Sequence, residues 1–280
     1  MKLRTFFARH PVFTRDELAG HLAALGRGSP RTTDSLLAYH VRSGRLRRIR
    51  RGLYVVLGAG GESTVDPYIV AAKLAPDAVL AYHTALELHG NAYSVHHQSL
   101  ICTRHRVRPL SVDDHRYMAL FPPKALRDRR QEDVAVETVD RSGLAVRVTR
   151  LERALVDVLD RPDLGGGWEE IWRSLETIEF LDPDAVVEYA LLLDSATTAA
   201  KVGFFLEEHR DSLMIEEAAL EPLRRRRPRM PHYLERALRP PKRPVAGVRR
   251  PGTGERARLV AAWNLIVPGS LLGRTWEEVA

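Results

Sequence analysis

The spacing of apolar residues near the start of the chain predicts three short helices. A mixed segment over residues 3–9 is followed by leucines at positions 18, 22 and 25, which recur at helical spacing. Thr14 and Glu17 stand three residues apart just before those leucines, which is the pattern of a capping box. A third helix is predicted over residues 31–43, where the glycine that follows favours a helix end.

The third predicted helix has an apolar stripe and a polar face. Leu37, His40 and Val41 fall on the stripe, so His40 is predicted to pack inside the protein and not to contact bases. The polar face carries side chains that hydrogen-bond to bases and phosphates in other DNA-binding proteins. These residues are Arg31, Thr32, Ser35, Tyr39 and Arg42.

An arginine-rich stretch follows, and its pattern predicts a β-hairpin. Residues 53–57 form a β-branched and aromatic run typical of a strand, and Gly52 marks the turn before it. We call residues 45–56 the arginine hairpin. Its basic residues are Arg45, Arg47, Arg48, Arg50 and Arg51.

Helices joined by a short loop and followed by such a hairpin are typical of a winged helix-turn-helix. In that arrangement the third helix enters the major groove of DNA. The arginine hairpin would then contact phosphates or a narrow minor groove. We therefore predict a DNA-binding domain over residues 1–60.

The remaining residues, 61–280, are predicted to form a larger mixed α/β domain, so the fold class is α+β. Helices are predicted to begin at Asp66, Ala78, Thr149, Trp168, Asp182 and near Thr197. Strands are predicted over residues 99–103, 116–121, 134–139, 144–148 and 259–267.

Charge along the chain is uneven in a way that the average conceals. The net charge of the 280 residues is +7, but residues 1–56 carry +9, residues 57–223 carry −12 and residues 224–258 carry +11. Basic ends of this kind indicate binding to a polyanion, and the acidic middle indicates another partner or role. An unevenly charged but merely solvated surface is the alternative.

The second basic region contains a candidate second basic site, which we call the C-terminal arginine run. It consists of Arg224, Arg225, Arg226, Arg227 and Arg229. One hypothesis is a further phosphate contact. The other is an exposed face that pairs with the acidic middle, within the chain or in a dimer. Prolines over residues 240–251 favour loops after this run.

Composition excludes several classes of protein. Hydrophobic residues make up 44% of the chain, enough for a core, and no run approaches the 18 apolar residues typical of a membrane span. The lone Cys102 cannot form an internal disulfide, and the first residues lack the apolar run of a secretory signal. We expect a cytoplasmic protein that does not bind a membrane.

Motifs for catalysis and metal binding are weak. The glycines at 165–167 lack the lysine and hydroxyl residue of a phosphate loop, and no dinucleotide fingerprint occurs. His83 and His89 are spaced so that their rings do not share one helix face, and no acidic cluster suits a catalytic metal. We predict a non-enzymatic protein with no metal and no cofactor.

The order of motifs resembles the AbiEi family of antitoxins. The turn Arg51-Gly52-Leu53-Tyr54 is followed by Asp66-Pro67-Tyr68 and then by residues 81–90, with a fainter similarity over 144–206. Members of this family are transcriptional regulators of type IV toxin–antitoxin systems in abortive infection, a phage defence.

The resemblance implies an autorepressor that also counteracts a toxin. The N-terminal domain would bind inverted repeats in the promoter of its own operon, with two copies of the protein on each operator. The C-terminal domain would counteract a toxin of the nucleotidyltransferase type, with or without a stable complex. Two alternatives stay open: a nucleic-acid-processing enzyme that uses a winged helix to bind its substrate, and a stand-alone regulator with no toxin.

Overall fold

The structure is a computed structural model that describes residues 3–26, 28–58, 66–234 and 257–271. It contains helices and sheets in both halves of the chain, so the predicted mixture of α and β structure is confirmed. The chain divides into two compact units. The first comprises residues 1–85, 95–122 and 133–150, and the second comprises residues 86–94, 123–132 and 151–280. The boundary at residue 60 lies within the first unit and stays a prediction.

The first 56 residues contain three helices and a small antiparallel sheet. The helices are α1 (Leu3–Arg9), α2 (Arg15–Ala24) and α3 (Pro30–Arg42), and the strands are β1 (Val12–Thr14), β2 (Leu46–Arg50) and β3 (Leu53–Val56) in the order β1-β3-β2. The predicted capping box is present at the start of α2. The Thr14 backbone N–H donates to Glu17 Oε2 at 2.7 Å, and the Glu17 N–H donates to Thr14 Oγ1 at 3.2 Å.

One apolar cluster joins these elements. It contains Phe6, Phe13, Leu18, Leu22, Leu37, Leu46 and Tyr54. His40 is buried beside Phe7, with ring centroids 5.2 Å apart, as the sequence predicts. Val41 was wrongly placed on the buried stripe, because it is 38% exposed and Thr33 takes the inward position.

The rest of the first unit is built on a six-stranded sheet with strand order β6-β7-β5-β4-β9-β8. Its strands are β4 (Val79–Leu80), β5 (Gln98–Cys102), β6 (Leu110–Val112), β7 (His115–Leu120), β8 (Val136–Arg141) and β9 (Leu144–Thr149). Helix α4 (Pro67–Ala72) precedes β4, and α5 (His83–His89) follows it, with residues 83–85 in the first unit and 86–89 in the second. Pairs β6–β7, β8–β9 and β4–β5 are antiparallel, whereas β5–β7 and β4–β9 are parallel.

Strand β4 corrects the helix predicted from Ala78. Val79 pairs with Cys102, and Leu80 pairs with both Ile101 and Val148, so this buried pair lies inside the sheet. Tyr82 then adopts a left-handed φ of 57°, and α5 begins only after it. A short buried apolar run has the same pattern in a helix and in a central strand, which explains the error.

The second unit is mainly helical. Its helices are α6 (Lys124–Arg129), α7 (Leu151–Asp160), α8 (Trp168–Glu176), α9 (Pro183–Leu192), α10 (Ala196–Glu208) and α11 (Glu217–Arg226). Its strands are β10 (His232–Tyr233), β11 (Ala257–Val260) and β12 (Leu265–Pro268), in the order β10-β12-β11. The single strand predicted over 259–267 is therefore wrong, and two antiparallel strands take its place. The proline-rich stretch at 240–251 lies outside the described residues.

The turn between β11 and β12 is anchored by Trp263, which is fully buried. Its indole lies against Gly203 of α10 so closely that a Cβ at that position would overlap the ring. The Trp263 Nε1–H also donates to Glu207 Oε2 at 2.6 Å. Glycine at 203 is therefore required by this packing. Among the described residues, no helix has the length and apolar character needed to cross a membrane.

Candidate nucleic-acid interface

The predicted recognition residues of α3 lie together on an exposed face. Arg31, Thr32, Ser35, Tyr39 and Arg42 are all exposed, and the Tyr39 side chain is 58% accessible. A shallow groove of about 440 Å³ at the start of α3 is lined by Ser29, Arg31, Thr32, Ser35 and Leu36. Within the described residues, Arg31 and Arg42 have no ion-pair partner. The face therefore offers free hydrogen-bond donors to a ligand.

The acidic residue of α3 is neutralised by its neighbour α2. Arg15 Nε donates to Asp34 Oδ1 at 2.7 Å, and Arg15 Nη2 donates to Asp34 Oδ2 at 3.1 Å. These hydrogen bonds lower the pKa of Asp34 below its ordinary value. The pair braces α2 against α3 and leaves the exposed face of α3 positively charged.

The arginine hairpin presents its basic residues in two directions. Arg45, Arg48 and Arg51 are exposed, and none of them has an acidic partner in the part of the chain that the structure describes. Arg47 and Arg50 instead contact other residues of the first unit. The register of β2 shifts between Arg48 and Arg50, which is the mark of a β-bulge. This irregularity allows residues three positions apart to turn to one side.

Arg47 and Arg50 each donate hydrogen bonds to an acceptor outside the hairpin. Arg47 Nη1 and Nη2 donate to Asp113 Oδ1 and Oδ2 at 2.9 and 2.8 Å, which is a bidentate pair. Asp113 lies in the turn between β6 and β7 with a left-handed φ of 52°. Arg50 donates to the backbone carbonyl of Leu74, and burial lowers the pKa of its guanidinium.

A third contact joins the helices at the start of the chain to the same neighbourhood. Lys73, which directly precedes Leu74, forms an ion pair with Glu17 of α2. Burial opposes ionisation of Glu17, but hydrogen bonds from Lys73 and Thr14 outweigh it, so the pKa of Glu17 lies below its ordinary value. In the part of the chain that the structure describes, three polar contacts thus join residues 1–56 to the six-stranded sheet and its connections.

The C-terminal arginine run lies in the second unit, and most of it is already paired there. Arg224 binds Glu207 and Glu217, Arg225 binds Glu221 at 3.0 Å, and Arg226 binds Asp194. Arg227 donates to the carbonyl of Ala262 at 2.7 Å. Arg229 is exposed and has no such partner within the described residues.

One buried ionic group in the second unit was not singled out from the sequence. Arg153 and Asp157 of α7 are both essentially inaccessible, and the Tyr189 hydroxyl donates to Asp157 Oδ1 at 2.8 Å. Arg153 Nε lies 3.4 Å from Asp157 Oδ2. Burial raises the pKa of Asp157, while Arg153 and Tyr189 act in the opposite sense. The spacing of four residues on one helix is the signal that could have revealed the pair.

The exposed basic residues of α3 and the arginine hairpin indicate a nucleic-acid-binding protein, and comparison with known families points to a transcriptional regulator. Residues 1–56 match a family model described as a transcriptional regulator, the AbiEi antitoxin. The resemblance to that family is therefore confirmed over this part of the chain. None of the curated proteins matches the sequence.

A solved structure resembles the fold over most of the chain. The crystal structure of the RV2827C protein from Mycobacterium tuberculosis superimposes with a TM-score of 0.53 and 19% sequence identity. The similarity covers 94% of this chain and 89% of that one. At this level of identity it shows a shared fold.

Proposed function

We propose that this protein is a DNA-binding antitoxin and autorepressor of a type IV toxin–antitoxin operon. Residues 1–56 act as a winged helix-turn-helix, with α3 in the major groove and the arginine hairpin as the wing. The observation that carries the proposal is the free positive charge on these two elements, Arg31 and Arg42 on α3 and Arg45, Arg48 and Arg51 on the hairpin. The family match over the same residues supports it.

The contacts differ in what they contribute. Arg31, Thr32, Ser35 and Tyr39 lie on the face of α3 that reads base edges, and Arg42 continues the positive charge at its end. The free arginines of the hairpin bind phosphates, which adds affinity without sequence preference.

The operator and toxin roles are inferred from the resemblance to the AbiEi family. The protein binds inverted repeats in its own promoter as two copies per operator, in the cytoplasm. The region after residue 60 counteracts a nucleotidyltransferase-type toxin by a non-enzymatic route. Co-expression tests this part: the full chain should restore growth to cells that express the neighbouring toxin gene, and a chain that fails to do so contradicts the antitoxin role.

DNA binding is tested by its salt dependence on the upstream region of the gene. If each bound copy neutralises about four phosphates through Arg42, Arg45, Arg48 and Arg51, log K per copy should fall against log salt with a slope of about −3.6. Fluorescence anisotropy between 50 and 200 mM salt measures this slope. A flat response would overturn the DNA-binding function, and cleavage of DNA or RNA in the presence of Mg²⁺ would favour a processing enzyme.

A further inference from the structure

Neighbouring arginines in the arginine hairpin have opposite surroundings. Arg47 contacts Asp113, whereas Arg48, the next residue, is exposed without an acidic partner in the described part of the chain. Arg50 binds the Leu74 carbonyl, whereas Arg51 is exposed in the same way. The sequence gives no reason to treat these four residues differently, so the difference comes from tertiary contacts.

In the Arg47–Asp113 pair, both terminal nitrogens of the guanidinium donate hydrogen bonds. Each donates to a different carboxylate oxygen, at 2.9 and 2.8 Å, so the pair fixes direction as well as distance. A phosphate that took Arg47 would have to displace this carboxylate. Arg48 and Arg51 can bind phosphate without breaking any ion pair. Binding by these two residues therefore costs less free energy than binding by Arg47.

Asp113 is well placed to hold the hairpin from outside it. It lies at the tip of the β6–β7 hairpin, and β6 is the edge strand of the six-stranded sheet. The contact joins positions 66 residues apart. Together with the Arg50–Leu74 contact it fastens β2 at two points, on either side of the bulge at residues 48–50.

We propose that Arg47 and Asp113 are positioning residues that set the angle of the arginine hairpin, so that Arg48 and Arg51 reach phosphate. In this assignment Arg47 does not contact DNA itself, and Asp113 is required for tight binding although it is an anion near a polyanion. The inference rests on the proposed DNA-binding function, and it adds a residue far outside the segment matched by the family model.

The salt slope separates a phosphate contact from a positioning residue. Loss of one phosphate contact reduces the magnitude of the slope by about 0.9. Arg48→Ala should do this, and it is the matched control for Arg47→Ala. Arg47→Ala should weaken binding about fivefold, the upper range for an exposed ion pair. The slope should stay unchanged, because Arg48 and Arg51 still contact phosphate in the complex and the lost affinity is the cost of ordering the loosened hairpin.

Asp113→Asn separates two roles of Asp113, because competition for Arg47 and positioning of the hairpin predict opposite changes in DNA affinity. If Asp113 only competes for Arg47, its neutralisation should tighten binding, because a negative charge has been removed. If it positions the hairpin, binding should weaken as in Arg47→Ala, and the double variant should be no weaker than Arg47→Ala alone. The exchange of both residues, Arg47→Asp with Asp113→Arg, should recover part of the lost affinity.

The experiment uses the full chain, the upstream DNA and thermal unfolding of every variant. Partial recovery in the exchanged pair shows that weak binding did not result from misfolding. A slope reduced by about 0.9 in Arg47→Ala, or tighter binding by Asp113→Asn, would overturn the inference. Absence of salt-dependent binding by the unaltered protein would instead overturn the proposed function on which it rests.

Discussion

The arginine hairpin and the C-terminal arginine run are similar in sequence and different in structure. Both contain arginines in close succession, and both lie in segments of strong positive charge, +9 for residues 1–56 and +11 for residues 224–258. In the hairpin, Arg45, Arg48 and Arg51 have no acidic partner in the described residues. In the C-terminal run, Arg224, Arg225 and Arg226 are paired with acids of their own unit.

The number of charges in a segment therefore does not measure the charge that is available to a partner. Four carboxylates of the second unit, from Asp194, Glu207, Glu217 and Glu221, are bound to the C-terminal run. Part of the acidity of the middle of the chain thus balances that run within one unit. Binding to a polyanion depends on cations that have no such partner.

The buried ion pair of Arg153 and Asp157 should contribute more to stability than the surface ion pairs of the C-terminal arginine run. Asp157→Ala leaves Arg153 charged and buried, and should lower the free energy of unfolding by about 3–5 kcal/mol. Glu221→Ala is the control, because it removes the partner of the exposed Arg225 on a helix surface and should cost about 0.3–0.5 kcal/mol. Denaturant unfolding measures both, and equal losses would contradict the distinction.

DNA binding should separate the two arginine-rich segments directly. Replacing Arg45, Arg48 and Arg51 by Ala should reduce the magnitude of the salt slope by about 2.7 and weaken binding about a hundredfold near 0.1 M salt. Replacing Arg224, Arg225 and Arg226 by Ala removes the same formal charge and should leave the slope nearly unchanged. Similar slopes for the two triple variants would show that the arginine hairpin and the C-terminal arginine run contribute equally to DNA binding.

Within the proposed interface, α3 and the hairpin should differ in sequence preference. Arg31→Ala should change the order of preference among operator variants, because an arginine that binds a base pair in two places contributes about 1–3 kcal/mol of discrimination. Arg51→Ala should weaken binding to all sequences alike. Competition assays with single-base operator variants measure this, and a uniform loss in Arg31→Ala would exclude base contact by that residue.

The Glu17–Lys73 pair should make a small contribution to stability that depends on pH. The folded-state pKa of Glu17 lies below its ordinary value of 4.5, so its ionised form stabilises the protein above that pH. This stability is lost as the pH falls through the lowered pKa. Glu17→Gln preserves the capping box but removes the charge, and should cost less than about 1 kcal/mol near pH 7.

Thermal unfolding of the two proteins between pH 7 and pH 3 checks this expectation. The difference in Tm should shrink on acidification, because protonation removes from the unaltered protein what the substitution removes at every pH. A difference that stays constant across the range would show that the charge of Glu17 contributes nothing.

Elements with local signals were predictable from the sequence. Helix α2 begins at the capping box of Thr14 and Glu17. Helix α9 begins after Asp182, whose carboxylate accepts from the backbone N–H groups of Asp184 and Ala185. Such signals involve residues within three or four positions. The burial of His40 was also predictable, because its position on the helix stripe follows from helical periodicity.

What the sequence could not predict depends on residues far apart in the chain. Strand β4 exists because Leu80 pairs with two strands, one of them at Val148. The inward turn of Arg47 depends on a partner 66 residues away. The predicted DNA-contacting residues of α3 could be placed on one helix face. The order of the arginines in the sequence did not reveal which of them lack an acidic partner among the described residues.

The three contacts that fasten residues 1–56 to the sheet have a consequence for exchange between relatives. Their partners are Lys73, Leu74 and Asp113, all of which lie beyond the segment proposed to bind DNA. A chimera joined at residue 57 would give the hairpin foreign anchors, whereas one joined after β9 would carry its own. The portion that would have to be transplanted to keep the hairpin on its own anchors is therefore longer than the segment proposed to contact DNA.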